Sequence, residues 1–219
     1  MPEPTTTRDK LLLTDFATIF AHMWYRDFPL QPSLREKAQR ADWTTHIGIA
    51  VRSAADLMGL FTHFESGRRT DAVLRDNRRS AVAALEWEWS ALHRGDEIVT
   101  EFEKLKKGCA EQDFHGIRFA CLIGYSRSGA GRDDYTKRWA AVLADWEKRW
   151  VGELPPLLLV VIGFEWTGKQ KGRQFTNMTI DQIEKGVRTR LREQPARPWE
   201  VIGSRWEQEM ASGSQMADV

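Results

Sequence analysis

Residues 69–90 read RTDAVLRDNRRSAVAALEWEWS. Two apolar-rich stretches, each the length of a strand, flank a polar turn at Asp76-Asn77-Arg78-Arg79. Side chains alternate across a strand, so Glu86 and Glu88 share one face while Leu85, Trp87 and Trp89 share the other. When 69–75 and 81–90 pair as a hairpin, Asp71 comes beside Glu86 or Glu88. Two carboxylates in the middle of an apolar strand repel one another and lose hydration once covered. A hard divalent cation such as Mg²⁺, Mn²⁺ or Ca²⁺ removes that cost. The competing reading puts both glutamates on the solvated face of an antiparallel sheet, with the tryptophans in the core. Asp71 on the preceding strand weighs against it.

Working outward, residues 60–66 (LFTHFES) alternate in the same way and meet 69–75 through a turn containing Gly67. That predicts a three-stranded meander. Ahead of it, residues 13–26 have helical spacing at Phe16, Ile19, Phe20 and Met23, with Thr14 as N-cap. A second helix, from Ser33 or Thr44 to Met58, carries the stripe Ile47, Val51, Ala54, Ala55 and Met58 and is closed by Gly59. Behind the meander, an amphipathic helix from Asp96 to about Cys109 turns Ile98, Phe102 and Leu105 inward. Lys104, Lys106 and Lys107 fall near its C-terminal end, where cations suit the helix dipole. A strand at 117–125, a helix at 133–151 and a strand at 157–165 follow. Trp139, Trp146 and Trp150 mark one packing face of that helix. The segment Thr179 to Arg192 is predicted as a final helix. The apolar run Leu157 to Phe164 implies a sheet covered on both faces, hence an α/β fold. The expected organisation is an N-terminal helical extension over 1–43, a core over 44–194 and a C-terminal tail over 195–219. The first ten and roughly the last ten residues are expected to be unstructured.

The chain has 219 residues, enough for one domain whose core needs no disulfide or structural metal. Thirty-two basic and 31 acidic residues nearly cancel, so nucleic-acid binding depends on where the positive charge gathers. It gathers at Arg68, Arg69, Arg75, Arg78 and Arg79, and again at Lys169, Lys171 and Arg173. These could grip phosphates or simply be solvated loop residues. No apolar run reaches the ~20 residues of a membrane span, and the N-terminus lacks a signal-peptide pattern. With two cysteines that have no ligand spacing, a reducing, cytoplasmic setting is expected. The five histidines form no zinc motif. SRSGAGRDD (126–134) lacks the ending of a nucleotide loop.

The order of elements, with RTDAVL followed by ALEWEW, resembles the PD-(D/E)XK nuclease superfamily over residues 44 to 165. The resemblance implies a restriction-endonuclease-like mixed sheet flanked by helices, in αβββαβαβ order. It also implies Mg²⁺ or Mn²⁺ bound by Asp71 and Glu86, and metal-assisted hydrolysis of phosphodiester bonds, with DNA as the expected substrate and RNA not excluded. Glu88 stands where the family usually has lysine, as in some restriction endonucleases, and would orient or deprotonate water or add a ligand. Thr70 replaces the usual proline. Asp56 or Glu65 could supply a further carboxylate. Cutting both strands suggests a homodimer. The alternative is a non-catalytic nucleic-acid-binding or assembly protein on the same scaffold.

Overall fold

Alternating side chains on the central strands build two apolar faces, and helices cover both. The computed structural model describes residues 7–26, 28, 40–66, 70–91, 96–110, 114, 116–127, 133–167 and 172–198. Among these residues the elements are α1 (Thr7–Arg26), α2 (Arg40–Leu57), β1 (Phe61–Ser66), β2 (Thr70–Arg75), β3 (Ala81–Ala91), α3 (Asp96–Ala110), β4 (Phe119–Arg127), α4 (Asp133–Arg149), β5 (Leu157–Thr167), β6 (Gly172–Glu184) and β7 (Val187–Pro195). The seven strands form one mixed sheet in sequence order. β1, β2 and β3 are an antiparallel meander, β3, β4 and β5 run parallel, and β6 and β7 return antiparallel. The two parallel steps need crossovers, which α3 and α4 supply.

One face carries Ala72, Leu74, Leu85, Cys121, Ile123, Val160 and Ile162 and packs under α1 and α2. The other carries Val73, Ala84, Leu122, Leu159 and Val161 and packs under α3 and α4. Trp146 of α4 stacks on Phe102 of α3 with ring centroids 4.6 Å apart, locking the two crossover helices together. Buried Trp150 completes that layer. Cys121 lies fully within the core.

α1 begins at Thr7, about two turns before the predicted cap, and leaves Thr14 exposed inside the helix. Its Leu13, Phe16, Phe20 and Trp24 are buried in the main core, where Phe16 meets Phe119 of β4. α1 is therefore, with α2, one of the sheet's two covering layers.

The C-terminal part departs from expectation. Thr179 to Arg192 is no helix but most of the β6–β7 hairpin. Lys185 and Gly186, at φ of 51° and 79°, supply the two left-handed residues of a tight hairpin turn. Ile180 and Ile183 sit at a helical interval, yet an odd spacing on a strand sends them to opposite faces, Ile180 under α1 and Ile183 under α4. A strand buried on both sides imitates a helix in that way.

Candidate acidic site on strands two and three

The meander places the carboxylates. Ala72 pairs with Leu85, so the next position along brings Asp71 beside Glu86 on the face under α3. The Trp87 backbone N–H donates to Asp71 Oδ2 at 2.7 Å, and the Asp71 N–H reaches Glu86 Oε2 at 3.3 Å. Each carboxylate is thus held by the other strand's backbone. Trp87 itself points to the opposite face, against Phe64.

Glu86 is fully buried, which is costly for an anion unless a cation accompanies it. Lys104 accompanies it. This side chain drops from the middle of α3 and donates to Glu86 Oε2 at 2.8 Å and to Glu101 Oε2 at 2.9 Å. The dipole role expected for Lys104 is therefore secondary to its place in the site. Phe102 and Leu105 on the same helix are fully buried and fix the phase that aims Lys104 at the sheet. Glu86 Oε1 is buried and has no hydrogen-bond partner among the described residues.

Burial raises Asp71 above the ordinary carboxylate range, against the Trp87 N–H and the Lys104 charge, which favour its anion. Burial likewise dominates Glu86 and pushes it up to about 9, although the Lys104 hydrogen bond pulls the other way. Burial works against the Lys104 ammonium, but Glu86 and Glu101 outweigh it and hold the group above its usual range. The consistent arrangement is one in which the cluster takes its proton on Glu86 while Glu101 retains Lys104 as an ammonium.

Glu88 lies two residues further along β3, half-buried, on the same face as Glu86. Asp56 does not join the cluster. It is exposed on α2, which covers the other face, and pairs with Arg52. Glu65 is exposed on edge strand β1 with φ of 48°. Arg75, Arg78 and Arg79 sit at the β2–β3 turn, about 13 Å along the strand from Asp71 at the usual rise per residue. There Arg75 donates to the Arg79 carbonyl and Asp76 caps the turn through the Arg78 and Ser80 N–H groups. Their local role is to close the hairpin. Arg68, Arg69, Lys169 and Lys171 lie outside the described residues, and Arg173 contributes its backbone to β6 opposite Trp166.

Sequence reasoning missed Lys104 and Glu101 as members of the site. The signal was present in the i, i+3 spacing of Glu101 and Lys104 on the helix that must cross over Glu86.

Two carboxylates from adjacent strands, one with a free buried oxygen, suit a divalent cation that completes its shell with water. Among the described residues no three His, Cys, Asp or Glu side chains are disposed to hold a metal between them. A cation here would rest on Asp71 and Glu86, with the remaining ligands from solvent or substrate.

Fold and cluster together define a mixed α/β protein with a seven-stranded sheet and an acidic, lysine-capped site beneath one crossover helix. No protein-family model matches the chain, and no curated protein does. Among solved structures it is similar to the YaeQ protein from Xanthomonas axonopodis pv. citri, at 10% identity and a TM-score of 0.23, over 62% of this chain and 70% of that one. No helix among the described residues is long and apolar enough to cross a membrane.

Proposed function

We propose that this chain is a divalent-metal-dependent nuclease of the restriction-endonuclease-like, PD-(D/E)XK type, acting on DNA. One observation carries the reading: Lys104 reaches Glu86 from α3, beside Asp71. The lysine absent from position 88 of the strand is thereby replaced by one from the helix above, so acid pair and ammonium meet in one place.

Asp71 and Glu86 would hold Mg²⁺ or Mn²⁺, and the bound ion would supply a more acidic water and offset charge building on the phosphoryl oxygens. The protein's own groups do the rest. The Trp87 N–H fixes the orientation of Asp71. Lys104 offers positive charge to a phosphate oxygen, a role Glu88 cannot fill. Glu88, half-buried on the same face, would accept a proton from the attacking water.

The test is cleavage of supercoiled plasmid and of single-stranded DNA, with Mg²⁺, Mn²⁺ or EDTA. Wild type is expected to cut only with metal. Glu86→Ala and Lys104→Ala are expected to lose about a hundredfold or more, the scale of removing a transition-state charge partner. A Glu86→Ala protein that kept full metal-dependent cutting would sink the reading. DNA retention without any cutting would turn it to a non-catalytic nucleic-acid-binding protein, for which the closed Glu86–Lys104–Glu101 ion pair would serve structure alone.

A further inference from the structure

Lys104 holds Glu86 Oε2 at 2.8 Å, and its contacts are unequally placed. Its ammonium bridges a fully buried carboxylate on the sheet and Glu101 on its own helix, 20% exposed. The tether to Glu101 spans one turn of α3, so it persists wherever α3 carries the side chain. The contact to Glu86 crosses between elements and can be exchanged. Glu86 Oε2 is shared by Lys104 and the Asp71 N–H, whereas Oε1 has no partner among the described residues.

We propose that Lys104 is the resident counter-ion of the ion-free site and yields Glu86 to a divalent cation arriving at Oε1. An ammonium and a dication on the two oxygens of one carboxylate repel strongly where water is excluded. Lys104, still tied to Glu101 and 28% exposed, then swings its remaining donors toward the open side of the site. There its natural acceptor is an anionic phosphodiester oxygen. Cation and nucleic acid therefore bind cooperatively: each makes the position vacated or adopted by Lys104 more favourable for the other, and the coupling is reciprocal. The inference rests on the nuclease reading and adds the order in which the site's charges are exchanged.

Calorimetric titration with Mn²⁺ alone tests it, on the full chain, at one pH held the same for wild type and variants. Lys104→Met removes the competing charge and is expected to bind Mn²⁺ roughly tenfold tighter than wild type, the size of one pKa unit of charge interaction. Glu101→Gln commits Lys104 more fully to Glu86 and is expected to bind it more weakly, so the two variants move in opposite directions. A phosphorothioate oligonucleotide is expected to tighten Mn²⁺ binding by wild type and not by Lys104→Met. If wild type binds Mn²⁺ and cuts DNA while Lys104→Met binds the ion equally or less well, the exchange is wrong and the nuclease reading stands. If wild type binds no Mn²⁺ at millimolar concentration, both fall together.

Discussion

Glu86 is the side chain in which folding and chemistry disagree. The fold buries it completely between β2, β4 and α3, and burial keeps its proton on up to about pH 9, against 4.5 for an exposed glutamate. Between those values the folded chain holds a proton that the unfolded chain has released, so stability falls as pH rises across the window. Below pH 4.5 this contribution is fully present. Glu86→Gln keeps the shape and removes the titration. Urea unfolding from pH 5 to pH 9 is expected to show a downward slope for wild type and a flatter line for the variant. The variant should gain a few kcal/mol, on the order of 2, at the alkaline end. Equal slopes in the two proteins would show that Glu86 does not carry the proton. At this scale the sequence was legible for what a strand dictates: alternation put Glu86 and Glu88 on one face, and hairpin pairing brought Asp71 beside Glu86 or Glu88. For Lys104 it offered only the i, i+3 spacing from Glu101, because the phase of a helix against a sheet is set by tertiary packing, here by Phe102 and Leu105.

Elements were legible where a period or an uninterrupted apolar run marked them, and β6 was not, because its buried residues fall at a helical interval. The meander and the two crossover helices follow from their periodicity and β5 from its unbroken apolar run, whereas β6, with Ile180 and Ile183 on opposite faces, has the spacing of a helix. The same strand contains an irregularity that the sequence also hides. Ile162 of β5 pairs with Met178 and Phe164 with Phe175, so Thr176 and Asn177 together oppose Gly163. That is a bulge, and it requires the missing side chain at 163. A Cβ there would lie 2.7 Å from Thr176 Oγ1 and closer still to the Asn177 amide oxygen. Gly163→Ala is expected to cost about 1–3 kcal/mol by overpacking, read as a shift in the urea midpoint. Adding Asn177→Ser, which withdraws the nearer atom, should recover part of it. An unchanged midpoint in the single variant would mean that the bulge gives way at no cost.

At the scale of the whole molecule, the question is whether residues 1–43 are an extension or part of what folds. Periodicity identified the helix over 13–26 but could not say what it covers, since an amphipathic face names no partner. That helix, α1, makes long-range contacts. Trp24 Nε1 donates to the Ala196 carbonyl at 2.8 Å, and Tyr25 donates to the Pro195 carbonyl while accepting from Gln194 at 2.7 Å. Trp24 also stacks on Trp43, and Trp43 packs on Phe175 of β6 with centroids 4.1 Å apart. The first described helix and the end of the last strand thus close on each other across one face of the sheet. Leu13, Phe16, Phe20 and Trp24 are each at most 1% exposed. Burial of such side chains contributes roughly 1.5–3 kcal/mol apiece. Together the four contribute roughly 6–12 kcal/mol, comparable with the roughly 5–15 kcal/mol by which whole domains are stable. A chain beginning at residue 44 is therefore expected to lose its fixed tertiary structure, and with it the geometry of the acidic site on the far face. Near-UV circular dichroism reads this directly, because the tryptophans that remain once Trp24 and Trp43 are removed report on packing. A truncated chain that kept a strong near-UV signal from its remaining tryptophans and a cooperative urea transition would instead show that α2, the sheet and the crossover helices suffice, and that α1 is an addition to a core complete without it.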